Sequence, residues 1–191
     1  MNISFEGFHG TSLKSAKEIL KSNFELSIGD VEWLGNGVYF FIIGISSKPE
    51  GQAEKWAVAQ SWDNASHNYK YNNYCVIKSK IHIDENKFLD LTHENGLEIL
   101  EYLAAKFESK IRTLGKKLDY LDGFLINLAR EEGIFELDVI KGNFYIKFAD
   151  ERIRKINLRT NNCTICAVYK PNYNLEENTV LKTGTIKNET F

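Results

Sequence analysis

The sequence predicts an α+β fold, because strand-forming segments lie near both ends of the chain and helical patterns lie between them. No repeated strand–helix–strand unit is visible, which argues against a parallel doubly wound sheet. The chain has 191 residues, 43% of them hydrophobic, enough to bury a full core. We therefore expect one domain over residues 1–191, with a helical segment at about 94–131 inserted between the sheet-forming parts.

The first predicted strand ends in the motif His9-Gly10-Thr11. Gly10 has no Cβ, so a flat ligand such as a carboxamide can approach the backbone and bond its N–H and C=O. Such a motif is also common in plain turns. A helix is predicted from Ser12, its N-cap, to about Lys21. One face of that helix carries Leu13, Ala16, Ile19 and Leu20.

The second motif is Leu34-Gly35-Asn36-Gly37-Val38-Tyr39-Phe40-Phe41. Its two glycines around Asn36 favour a tight turn, and the aromatic and β-branched run after them favours a strand. Tyr39 would then present a ring for stacking. A hairpin with no ligand is the alternative interpretation. Gly51 begins a segment, 51–57, that we interpret as the start of another helix.

Helical spacing of apolar residues predicts two helices in the middle of the chain, from Glu94 to about Leu114 and from about Tyr120 to Glu131. Further on, 134–140 and 143–148 flank a Lys-Gly pair and are interpreted as a hairpin or strand pair. A last apolar strand is predicted at 164–169. The stretch after about residue 175 is expected to be loosely held.

Together the two motifs and the helices after them resemble the ADP-ribosyltransferase superfamily, on the branch shared by diphtheria-like toxins and poly-ADP-ribose polymerases. The match is best over residues 5–60. The resemblance implies a split antiparallel sheet core with flanking helices and NAD as co-substrate, without a metal. It implies that His9 bonds a ribose hydroxyl, that the Gly10 backbone bonds the nicotinamide amide, and that Tyr39 stacks on the nicotinamide ring. Trp56 would supply the opposing aromatic wall, and Thr11 and Gly37 would complete the cofactor site.

The family's third motif is a strand that opens with a catalytic Glu, and the matching position here is Thr164. A carboxylate there favours the positive charge that develops as the glycosidic bond breaks, which a threonine cannot do. Three explanations stay open: the target supplies the group, another carboxylate reaches in, or NAD is bound without turnover. Glu136 and Asp138, expected on one face of a strand, are the first substitutes, and Glu151 is a weaker one.

The resemblance implies a mono-ADP-ribosyltransferase acting as a toxin or defence effector of a bacterium or phage, with a protein, RNA or DNA acceptor and a cognate antitoxin. An NAD glycohydrolase and a non-catalytic NAD- or ADP-ribose-binding module are alternatives. A third alternative is that both motifs are structural, with Tyr39 in the core and no NAD site.

Composition and charge indicate the cellular compartment, the state of the cysteines and the possible anionic partners. The N-terminus shows no signal peptide and no run approaches a membrane span, so we expect a cytoplasmic protein. Three cysteines, an odd number, argue against a disulfide scaffold, and we interpret them as buried, reduced strand residues. The net charge of −2 divides into −6 over residues 1–139 and +4 over 140–191. The densest basic cluster comprises Arg152, Arg154, Lys155 and Arg159, either a solvated face or a site for an anion.

Overall fold

The computed structural model describes residues 1–29, 31–114, 121–148 and 160–186. The strands are β1 (Asn2–Ser12), β2 (Val38–Ile42), β3 (Trp62–Asp63), β4 (Asn68–Tyr69), β5 (Asn73–Asp84), β6 (Phe88–Asp90), β7 (Val139–Phe144), β8 (Cys163–Val168) and β9 (Leu175–Thr185). The helices are α1 (Leu13–Ser22), α2 (Pro49–Ser61), α3 (Glu94–Lys106), α4 (Glu108–Thr113), α5 (Leu121–Glu131) and α6 (Pro171–Asn174).

One large sheet organises the fold, with strand order β6-β7-β8-β2-β1-β5-β9. β6 and β7 are parallel, whereas the other neighbouring strands of this sheet are antiparallel. A hydrophobic cluster lies on each face of the sheet: Ala53 of α2 and Ile126 of α5 belong to one, and Ala16 of α1 to the other. The chain is therefore an α+β protein, as the sequence predicts. Its sheet is mixed and flanked by helices, with the parallel β6–β7 pair departing from the antiparallel sheet that was expected.

The pairing between β1 and β2 is the shortest in this sheet. Their register contains a single residue pair within these two fully described strands, Phe8 opposite Phe41. In contrast, β1 pairs with β5 from Asn2 opposite Asp84 to Ser12 opposite Tyr74. Two halves of the sheet, β6-β7-β8-β2 and β1-β5-β9, thus join at one point.

The first helix forms where the sequence predicts it. The hydroxyl of Ser12 accepts a hydrogen bond of 3.0 Å from the backbone N–H of Ser15, which caps α1. Ala16 is buried against the sheet, and Leu13 and Ile19 are partly buried. Leu20, which was predicted on the same face, is 42% exposed. The buried stripe is therefore narrower than the pattern indicates.

Three sequence predictions about elements are wrong. The predicted helix over 94–114 is divided at Phe107, whose φ of −101° and ψ of 14° interrupt it between α3 and α4. The predicted hairpin turn at Lys141-Gly142 lies inside a continuous strand, β7, because both neighbouring strands supply its backbone partners. The chain after Leu175 is not loose, since it pairs with β5 as the edge strand β9.

The three cysteines are free and buried in strands β5 and β8, as predicted. None of the helices in the described ranges is both long and apolar enough to cross a bilayer. The basic cluster at 152–159 and Glu151 lie outside the described residues.

Candidate functional site

A cavity of about 570 Å³ opens beside the junction of β1 and β2. This volume is within the range of about 300–1,000 Å³ found for small-molecule sites. The cavity is lined by β1, β2, the connection that precedes β2, helix α2, strand β8 and the chain just after β7. The lining residues are His9, Gly10, Glu25, Ser27, Val31, Glu32, Trp33, Gly37, Val38, Tyr39, Phe40, Phe41, Trp56, Gln60, Ile146 and Ile165. Five of the six residues that the sequence predicts for cofactor binding are among them.

His9 is fixed by its neighbours. Its Nδ1 lies 2.8 Å from the backbone oxygen of Tyr39, and its ring packs edge-on against Phe24 and Phe40. Because a carbonyl oxygen only accepts, Nδ1 carries the proton, and the neutral ring leaves Nε2 as an acceptor. Burial lowers the pKa of His9, an effect that the hydrogen bond to Tyr39 partly offsets. The residue thus offers a neutral acceptor suited to a hydroxyl group.

Tyr39 projects its ring at the cavity while its hydroxyl is bound elsewhere. The hydroxyl donates to the backbone oxygen of Gly35 at 2.7 Å and accepts from the N–H of Leu34 at 2.8 Å. Burial, with a smaller contribution from the charge of Glu32, raises the pKa of Tyr39 well above its usual value. The phenol therefore stays protonated at neutral pH, and its two hydrogen bonds hold the ring in a fixed orientation on the cavity wall.

Two tryptophans extend the aromatic wall. Trp56 of α2 meets Trp33 edge-on at a centroid distance of 6.0 Å, and Trp33 in turn stacks on Phe144 at 5.3 Å. The ring centroids of Phe41 and Trp56 are 6.5 Å apart. Trp56 was predicted for this wall, whereas Trp33 was missed. A flat, polarisable ring is the ligand that such a wall accommodates best.

The small residues of the site hold backbones close together. A Cβ on Gly10 would lie 1.8 Å from the backbone oxygen of Ala53, so β1 and α2 can only pack this closely at a glycine. A Cβ on Gly37 would lie 3.1 Å from Ala167 and from the ring of Tyr169. Thr11 is half-buried opposite Cys75 in β5 and does not line the cavity.

Thr164 lies on the opposite side of β8 from the cavity. Its side chain is buried, donates to Asn143 Oδ1 at 2.7 Å and accepts from the backbone N–H of Ile45 at 2.9 Å. The next residue, Ile165, lines the cavity instead. The structure therefore gives Thr164 a structural contact set and does not bring it together with His9 and Tyr39.

Neither acidic substitute lines the cavity. Glu136 is exposed and forms an ion pair with Lys87 at 2.5 Å, which lowers its pKa. Asp138 is buried and forms an ion pair with Lys170 at 2.7 Å. The segment that holds them precedes β7, so the expectation that they share one face of a strand is wrong.

Two other carboxylates do line the cavity, Glu25 and Glu32. Both lie in the connection between α1 and β2, which has no periodic pattern, and the sequence analysis missed them for that reason. The only signal was position, since Glu32 and Trp33 directly precede the Leu34-Gly35 motif. Among the described lining residues there is no lysine or arginine. The two carboxylates beside the aromatic wall favour a neutral or cationic ring in this part of the cavity.

Comparison with known proteins is sparse. No protein-family model matches the chain. An uncharacterized protein from Methanocaldococcus jannaschii is 35% identical over 86 residues, which cover 44% of this chain. The match spans 36% of that relative's own length, so the chain corresponds to about a third of it.

Proposed function

We propose that this chain is an NAD-dependent mono-ADP-ribosyltransferase with the split-sheet core of that superfamily. The observation that carries the proposal is the hydrogen bond between His9 and Tyr39, 30 residues apart in sequence, at the wall of one aromatic cavity. The single pair that joins β1 to β2 supports a split at this point. In this assignment NAD occupies the cavity, with its ribose at His9 and its nicotinamide at Gly10, Tyr39 and Trp56.

The chemical character of the lining supports the same assignment. Nicotinamide in NAD is a flat cation, which suits a wall of aromatic rings beside two carboxylates. Neutral His9, with Nε2 available as an acceptor, suits a ribose hydroxyl. Reaction then requires an acceptor nucleophile at the anomeric carbon, and we assign that role to a protein or nucleic acid target. By analogy with small stand-alone members of the superfamily, the biological role is that of a cytoplasmic toxin or defence effector controlled by an antitoxin.

A binding module without turnover is the second candidate. It is favoured by one observation, that neither Thr164 nor Glu136 lines the cavity. Such a module would bind NAD or ADP-ribose and consume neither. An NAD glycohydrolase differs from the transferase only in using water as the nucleophile.

The deciding experiment measures nicotinamide release from NAD by the purified chain, alone and with total cellular protein or RNA. If nicotinamide release requires the protein or the RNA fraction, and that fraction becomes labelled with ADP-ribose, the result supports the transferase and gives the acceptor class. Release without a fraction indicates the glycohydrolase, and calorimetric NAD binding without release indicates the binding module. Absence of binding at millimolar NAD would contradict all three. His9→Ala is the site variant and His67→Asn, at an exposed residue, is its control.

A further inference from the structure

The cavity proposed for NAD contains two carboxylates that no motif predicts, and they differ in how firmly they are held. Glu25 is exposed. Glu32 is half-buried, and its Oε1 accepts a hydrogen bond of 2.6 Å from the hydroxyl of Ser27, which also lines the cavity. A carboxylate that is fixed before the reaction costs less reorganisation than a mobile one.

The backbone that carries Glu32 is anchored on both sides. The N–H of Ser27 donates to the oxygen of Gly37 at 3.0 Å, which closes the connection before β2 into a loop. Helix α5 packs so closely that a Cβ on Gly123 would lie 1.8 Å from the backbone oxygen of Glu32. That same oxygen accepts from the N–H of Gly35 at 3.3 Å.

Glu32 is also part of one hydrogen-bonded unit with the aromatic wall. The Tyr39 hydroxyl binds the backbone of Leu34 and Gly35, two and three residues after Glu32. The charge of Glu32 contributes to the raised pKa of Tyr39, as expected if the carboxylate lies close to the phenol. The ring that would stack on nicotinamide and the carboxylate are thus positioned by the same loop.

We propose that Glu32 is the catalytic carboxylate of this site and takes the place that the Thr164 position cannot fill. The inference rests on the proposed function. When the bond between the anomeric carbon and nicotinamide breaks, the electron pair leaves with nicotinamide, whose ring becomes neutral, and positive charge develops on the ribose. The Glu32 carboxylate stabilises that charge. A lone pair of the acceptor forms the new bond to the anomeric carbon, and the acceptor's proton passes to solvent. Ser27 is a positioning residue that acts through Glu32.

The test compares the 191-residue wild-type chain with Glu32→Gln, Glu32→Asp, Glu25→Gln and the control Glu18→Gln, an exposed residue of α1. Nicotinamide release is measured together with NAD affinity by calorimetry and folding by thermal unfolding. We expect Glu32→Gln to lower kcat on the order of 100-fold, the effect typical of one lost electrostatic contact in a transition state. NAD affinity should change by less than about 3-fold, since the contribution is made in the transition state. Glu32→Asp should recover part of the rate, and Glu18→Gln should match wild type.

Release at the wild-type rate by Glu32→Gln would overturn the inference while leaving the proposed function intact. So would a loss confined to NAD affinity, or a loss found in Glu25→Gln alone. Wild-type protein that binds NAD but releases no nicotinamide with any cellular fraction would overturn the proposed transferase and this inference with it. If Glu32→Gln fails to fold, Ser27→Ala replaces it. We expect Ser27→Ala to lower kcat with KM unchanged and Ser27→Thr, which restores a hydroxyl, to recover the rate. Unaltered kcat in Ser27→Ala would contradict the role of Glu32.

Discussion

The imidazole of His9 donates from Nδ1 to the backbone oxygen of Tyr39 across 2.8 Å. This bond joins the two halves of the sheet next to the point where Phe8 and Phe41 pair. It fixes the tautomer of His9 and aims Nε2 as the remaining acceptor. One contact between the two motifs therefore both joins the halves of the sheet and orients a side chain of the cavity wall.

The first prediction concerns pH. Burial lowers the pKa of His9 from the ordinary value of 6.5. The unfolded chain therefore binds a proton near pH 6.5 that the folded protein binds only at lower pH. The contribution of His9 to the free energy of unfolding is therefore fully present above pH 6.5. It decreases as the pH falls from 6.5 towards the lowered pKa of the folded protein, by up to about 1.4 kcal/mol per pH unit. Urea unfolding between pH 7.5 and about pH 5 measures this slope.

Two variants test whether the slope belongs to His9. His9→Asn keeps an N–H donor for Tyr39 but removes the titrating ring, so we expect a shallower slope. His67→Asn removes an exposed ring at a residue with φ of 50°, a conformation that asparagine tolerates. Because that variant retains His9, its slope should persist. Equal slopes in wild type and His9→Asn would show that other groups cause the pH dependence.

The second prediction separates the ring of Tyr39 from its hydroxyl. Tyr39→Phe keeps the ring but leaves the Leu34 N–H and the Gly35 oxygen without their partner, which should cost about 1–3 kcal/mol of unfolding free energy. NAD affinity should fall far less in Tyr39→Phe than in Tyr39→Ala, because stacking requires only the ring. Denaturant unfolding and calorimetry provide the two measurements. Similar affinity losses in both variants would indicate that the loop held by the hydroxyl, and not the ring, determines binding.

The sequence was sufficient for the elements that local chemistry determines. Ser12 caps α1 and the glycine-flanked turn leads into β2, as predicted. The sequence was insufficient to predict elements whose strand pairing overrides local signals. Lys141-Gly142 has turn composition, yet it lies inside β7 because β6 and β8 bind the backbone on either side. The polar segment after Leu175 becomes the edge strand β9 for the same reason.

The residues of the cavity also fall into two groups, those that the sequence predicts and those that it does not. His9, Tyr39 and Trp56 belong to recognisable motifs, and all three line the cavity. Glu32 and Trp33 belong to a connection without periodicity, and only the folding of that loop over the cavity brings them to the wall. Motif position leads to Thr164, and the expected strand pattern leads to Glu136 as a substitute carboxylate. The carboxylates that line the cavity, Glu25 and Glu32, come together only in the folded structure.

The third prediction tests the close approach of β1 and α2. Gly10→Ala would place a methyl group against the backbone oxygen of Ala53, so the helix must move away from the strand. We expect a loss of at least about 1–3 kcal/mol of unfolding free energy, together with weaker NAD binding. Gly51→Ala is the matched control in α2, the helix that packs against Gly10, since its Cβ would meet nothing within 4 Å. That control should gain up to about 1 kcal/mol from reduced backbone entropy. Equal stabilities of the two variants would contradict the packing described for Gly10.

The last prediction concerns Thr164, the residue that the sequence resemblance matches to the third motif of ADP-ribosyltransferases. Thr164→Val keeps the shape of the side chain but removes a hydroxyl that binds Asn143 and the N–H of Ile45. Asn143 is half-buried and Ile45 is exposed, so each lost hydrogen bond should cost about 0.5–1.5 kcal/mol in denaturant unfolding. The side chain lies away from the cavity wall, so nicotinamide release by the folded variant should match that of wild type. A large loss of kcat at wild-type stability would instead assign Thr164 to the reaction, and it would require β8 to present its other face to NAD.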